Sequence, residues 1–185
     1  MDEEQVLSKL ESHFRRILSE VGVFKSLYSD RAARPLLDHH LHDLLMEIQR
    51  PLIDSIVMSI CRMLDPAASF RRDNITLFYL ADIMTSRDQT LRDRIDALKA
   101  KIQPLKILRD RIIGHSDLAA NSIDRIDYTG ASHDEITENI ALIREILDRC
   151  SVAIRGATVV YEARRLDDGG PEALKTILRQ IHTQR

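Results

Sequence analysis

The chain has 185 residues, enough for one domain with a sizeable core. Apolar residues make up 44% and charged residues 30%, which excludes wholesale disorder; a net charge of −2 excludes a polycation that grips nucleic acid over its whole surface. There is no run of about 18 apolar residues to span a membrane. The acidic start, Met1-Asp2-Glu3-Glu4-Gln5, has no apolar signal core, so a single cytoplasmic domain over 1–185 with no membrane partner is expected.

Apolar spacing is helical almost throughout, which predicts an all-α bundle of antiparallel helices with a core over about residues 5–165. Leu7, Leu10, Phe14, Ile17, Val21, Phe24 and Tyr28 follow steps of three and four along a first helix. A second runs from Arg34 to Leu64 on the seam Leu37, Leu41, Leu44, Ile48, Leu52, Ile56, Ile60 and Met63. Pro51 should kink or interrupt it, and Asp65-Pro66 ends it. A polar loop from Ala67 to Asp73 precedes a short helix over about Asn74–Thr85. Ser86-Arg87-Asp88-Gln89 has the form of a capping box for the next helix, whose seam is Leu91, Ile95, Leu98 and Ile102. Pro104 either kinks that helix or opens a new one at its first turn. Residues 116–131 read as a loop. Ser132-His133-Asp134-Glu135 is a second capping box, opening a helix with Ile136, Ile140, Ile143, Leu147, Cys150, Ile154, Ala157 and Tyr161 on one face. After a turn at Asp167-Asp168-Gly169-Gly170-Pro171, a short helix over about 171–182 completes the chain.

Chemistry concentrates at Arg109-Asp110-Arg111-Ile112-Ile113-Gly114-His115. On a helical wheel Leu105, Leu108 and Ile112 form an apolar stripe, with Arg109 on one border and His115 on the other, about 120° apart and about 9 Å along the axis. Gly114 loosens the turn before His115. A half-buried arginine needs a partner, either an anionic side chain or an anionic ligand. Its planar fork suits phosphate, and an imidazole suits proton transfer near neutrality. Together they meet the needs of RNA cleavage by the 2′-hydroxyl: a base, a cation for the crowded phosphate, and an acid for the leaving oxygen, without metal or cofactor. The competing reading is structural, with Arg109 paired to Asp110 or to a neighbouring helix and His115 at a helix end. Arg87 to Arg111 holds eight Lys/Arg against four Asp, an excess that alone reads as a solvated helix face.

Other features carry less. Asp38-His39-His40-Leu41-His42-Asp43 has metal-ligand residue types, but no second dense cluster completes a site, and a polar helix face is the favoured reading. Cys61 and Cys150 sit on apolar stripes and read as buried hydrophobes in a reducing compartment.

Two blocks resemble the HEPN superfamily, in its abortive-infection AbiU-like branch. Cys61-Arg62-Met63-Leu64-Asp65-Pro66 resembles the "RLxD" helix ending of that branch. Leu108-Arg109-Asp110-Arg111-Ile112-Ile113-Gly114-His115-Ser116-Asp117 resembles its "RDxxxAHSD" block, with Gly114 in place of alanine. The resemblance implies a helical bundle, a homodimer whose two Arg/His motifs line one cleft, and in many members a ribonuclease used as a toxin or in antiviral defence, often with a protein antitoxin. It implies catalytic roles for Arg109 on phosphate, Asp110 in orienting that arginine, and His115 in proton transfer, with Arg111 and Lys106 as RNA contacts. Substrates of this type include tRNA and mRNA. Arg111 is a rival to Arg109, but it leaves three residues before His115, short of the four to six of the superfamily's signature. A non-catalytic dimeric module that binds RNA, a nucleotide or a protein is the alternative.

Overall fold

In a computed structural model, residues 1–29, 34–69, 72–110, 132–162 and 171–183 are described. Among them the chain is all-α, a helical bundle of the HEPN type. Helix α1 covers Glu3–Phe24 and passes into a π-helical turn at Lys25–Ser29. The others are α2 (Arg34–Met63), α3 (Leu77–Ile83), α4 (Leu91–Lys101), α5 (Gln103–Leu108), α6 (His133–Arg155) and α7 (Pro171–Thr183). The stretch expected as a polar loop holds one antiparallel pair of two-residue strands, β1 (Ala68–Ser69) and β2 (Arg72–Asp73), with Ala68 opposite Asp73. No helix among the described residues is long and apolar enough to cross a membrane.

The chain forms two compact units. One comprises Met1–Phe14 and Val57–Tyr161, the other Arg15–Ile56 and Glu162–Arg185. In the first, α4 lies against both α3 and α6. Its core includes Leu7, Leu10, Phe14, Ile60, Leu64, Leu77, Leu91, Ile95, Ile143 and Leu147, all buried. Cys61 and Cys150 are buried free thiols, and burial pushes each up to about 12, so both act as apolar filler. In the second unit, Leu27, Leu37 and Leu45 form a small core with Val23, Tyr28, Leu41 and Leu174 against it. The Tyr28 hydroxyl donates to the Leu45 carbonyl at 2.7 Å.

Four expectations need correction. Pro51 lies within α2 without interrupting it; the non-helical residue is Leu41, at φ −136° and ψ 19°. That break shifts the helical phase, so Leu45 is buried while Leu44 is 54% and Ile48 36% exposed, and the seam written through those two is not the buried one. Ser86 does not cap the next helix. Helix α4 starts at Leu91, and Asp88 instead organises the turn, accepting from the Thr90 backbone N–H at 3.0 Å and hydroxyl at 2.9 Å. The helix expected to reach Tyr161 stops at Arg155, because Gly156 takes the left-handed conformation at φ +75° that a side chain disfavours. Tyr161 returns from beyond that stop to meet Phe14 edge-on at 5.2 Å and donates to Glu11 at 3.2 Å.

Two readings held. Pro104 sits in the first turn of a new helix, α5. Ser132 and Glu135 form a reciprocal capping box, the serine oxygen accepting from the Glu135 N–H at 3.3 Å.

Asp88 also ties the α4 turn to α6 through a two-pronged contact with Arg149, whose Nη2 donates at 3.1 Å. The hydrogen bond from Arg149, helped by those from Thr90, outweighs desolvation and holds the carboxyl down at about 2, against an ordinary value near 3.8. A carboxylate depressed on folding stabilises above its unfolded value and loses that contribution as pH falls through its folded value. Asp88→Asn should therefore be less stable than wild type at neutral pH. The gap should narrow as pH falls from about 4 towards about 2. Urea denaturation of both proteins across that range checks it; a constant gap would refute the assignment.

Candidate functional site

The last turn of α2 and the end of α5 build the site. At the C-terminus of α2 the final turn tightens, with Leu64 N–H donating to the Cys61 carbonyl at 3.0 Å and Asp65 N–H to Arg62 at 3.4 Å. Pro66 has no N–H to continue the ladder and disfavours helical backbone at Asp65. The helix stops there, leaving the Asp65 carboxylate at its end. Helix α5 buries Leu105 and Leu108, and Arg109 follows as its C-cap with helical backbone angles. A cation there also suits the negative end of the helix dipole.

Arg109 is gripped from two sides. Its Nη1 donates to Asp65 Oδ1 at 2.6 Å and its Nε to Asp110 Oδ1 at 2.7 Å. The arginine side chain is only 16% exposed, against 30% for Asp65 and 56% for Asp110. Burial opposes the guanidinium charge, but the hydrogen bonds it donates to Asp110 and Asp65 outweigh that and hold the pKa above its ordinary value. Arg109 is therefore a permanently charged group in a fixed plane, with its Nε and Nη1 both engaged. Burial raises the pKa of the Cys61 thiol, with smaller effects from the charges of Arg109, Asp65, Asp110 and Lys106. Lys106 lies half-buried one turn before Arg109.

The structure thus brings together Arg109, Asp110 and Lys106 of the expected site residues. Arg111 and His115 lie outside the described residues. Sequence reasoning missed Asp65. The signal was present twice: a half-buried arginine demands a carboxylate, and Asp65 stands at the end of the only other block that shaped the resemblance.

The basic stretch is not a bare cationic face. Arg87 pairs with Glu3 at 2.9 Å, Arg92 with Asp82 at 2.6 Å, Arg94 with Glu145 at 2.9 Å, and Lys101 with Glu138. Arg92 and Lys99 also stand over the Phe78 ring at 4.6 and 4.8 Å. The acids that neutralise this stretch come mostly from outside it, so counting charge within it overstates its positive field.

Among the described residues, no three His, Cys, Asp or Glu side chains stand where they could hold one metal ion. His42 and Asp43 of the histidine-rich run are exposed; the side chains of Asp38, His39 and His40 lie outside the described residues.

No curated protein and no solved structure matches the chain. A family model does, that of the AbiU2 proteins, and it covers residues 7–168. That span holds α1 from its second turn, the Asp65 helix ending, the Arg109 block and the whole of α6. The chain belongs to the AbiU2 branch of the HEPN family.

Proposed function

We propose that this protein is a metal-independent endoribonuclease of toxin or antiviral-defence type, cleaving RNA by attack of the 2′-hydroxyl at a composite site in a homodimer. Membership of the HEPN family points to a nuclease or abortive-infection role. The observation that carries the finer reading is the state of Arg109: charged, largely shielded from solvent, and held in one plane by Asp65 and Asp110. A guanidinium oriented in advance can stabilise charge that develops on a phosphate without first reorganising. Its Nη2 has no partner recorded among the described residues. In this reading His115 moves the proton, Asp110 and Asp65 are positioning residues, and Lys106 and Arg111 contact backbone phosphate. RNA, with tRNA and mRNA as candidates, is the substrate, and a protein antitoxin is the expected regulator.

One observation favours the alternative, a non-catalytic RNA- or protein-binding module. Two carboxylates already compensate Arg109, so a phosphate gains less there than at an unpaired arginine.

Chemistry separates the two readings. Cleavage of a defined RNA should survive EDTA and leave a 2′,3′-cyclic phosphate and a 5′-hydroxyl. His115→Ala should lower the rate by about 10²–10⁴. Arg109→Ala should also cripple it, with Arg111→Ala milder. Full activity in folded His115→Ala, or a requirement for added metal, would leave the binding module.

A second prediction concerns Asp65. If it acts by holding Arg109, Asp65→Asn should keep part of the hydrogen bond and lower kcat moderately, while Asp65→Ala should lower kcat further with KM little changed. An effect confined to KM would place Asp65 in substrate binding instead.

A further inference from the structure

A second polar feature adjoins the Arg109 site. Asp65 also lines an open cleft of about 620 Å³, within the range of about 300–1,000 Å³ typical of small-molecule sites. Its lining includes His13 from α1, Arg62 from the last turn of α2, and Pro66, Asp73 and Ile75 from the segment that follows. All belong to the same compact unit as Arg109.

We propose that this cleft is a nucleotide subsite for the RNA strand, with Arg62 as its phosphate contact and His13 as its base-stacking group; the proposal rests on the ribonuclease reading above.

Three observations carry it. Arg62 is exposed and has no carboxylate partner among the described residues, unlike the paired arginines of α4. Among the described residues no carboxylate competes with an anion for its donors. Arg62 stands one helical turn before Asp65, which belongs both to the cleft lining and to the Arg109 pair. A strand with one phosphate near Arg109 would carry a neighbouring nucleotide across Asp65 into the cleft. The lining also divides by chemistry. Arg62 is cationic, Pro66 and Ile75 offer apolar surface to the face of a base, and an imidazole such as that of His13 stacks on bases in single-stranded RNA. The Asp73 carboxylate keeps a second phosphate away and accepts from a base amino group. One phosphate and one base fit this pattern; a polyanion does not.

The test uses the full-length protein and a short single-stranded RNA carrying 2′-O-methyl groups, which cannot cleave itself. Binding is followed by fluorescence anisotropy across salt concentrations, and cleavage is measured separately on unmodified RNA. Arg62→Ala should weaken binding about five- to tenfold, and the slope of log affinity against log salt should fall by about 0.7, the share of one phosphate contact in a single strand. Arg62→Lys should keep the slope and most of the affinity. His13→Ala should weaken binding with no change of slope. Circular dichroism checks that each variant is folded. Unchanged affinity and slope in Arg62→Ala, or no binding of this RNA by wild type, would overturn the subsite. If unmodified RNA is not cleaved yet binding still depends on Arg62, the nuclease reading fails and the subsite stands. If RNA is cleaved and Arg62 proves neutral, the subsite fails and the nuclease reading stands.

Discussion

The ion pair between Arg109 and Asp65 joins the end of a long helix to the end of a short one, 44 residues apart in sequence. A guanidinium this shielded is costly without a partner, and a carboxylate at a helix end is an ordinary solvated group without one. Each explains the other. The pair fixes where α5 ends relative to the last turn of α2, and the Arg109 plane follows from it. Asp110 then closes the grip from the neighbouring position. Whatever Arg109 does to a ligand, it does from a geometry set by two carboxylates and not by the ligand.

Charge is distributed with the same economy elsewhere in this unit. Arg155 reaches from the end of α6 to Glu4 and Glu11 of α1, and those hydrogen bonds hold its pKa above the ordinary value. Arg87, just before α4, meets Glu3, and Arg94 of α4 meets Glu145. These contacts leave the unit with little unspent positive charge along α4. The cations without carboxylate partners among the described residues include Arg62 and Lys106, and both stand beside the Arg109 pair. A near-neutral chain can present a local anion site in this way, by neutralising its cations everywhere except where they meet a ligand.

The fold class and most helix limits were legible because they rest on local rules. Apolar steps of three and four, the Ser132 box and the first-turn Pro104 each act within a few residues. What escaped depends on contacts distant in sequence or on backbone states that side-chain patterns conceal. Leu41 is apolar and on the seam, yet its backbone breaks the phase and exposes Leu44 and Ile48. Ser86 has the spacing of a cap, but Asp88 wins the turn because Arg149, 61 residues away, holds it. Gly156 ends α6 in the left-handed conformation although the regular apolar seam continues in sequence to Tyr161. At the site, Arg109 and Asp110 could be named from the motif. Asp65 could not be paired with them until the fold brought α2 and α5 together.

The central claim is that an arginine fixed in one chain works with a histidine from a second. Mixing two inactive variants tests it most directly. Arg109→Ala and His115→Ala, co-refolded or co-expressed so that subunits exchange, should form mixed dimers with one intact composite site. Cleavage should then return to roughly a quarter of the wild-type rate, as half the dimers are mixed and each has one of two sites whole. No recovery in a mixture shown by mass to contain mixed dimers would contradict a site shared between chains.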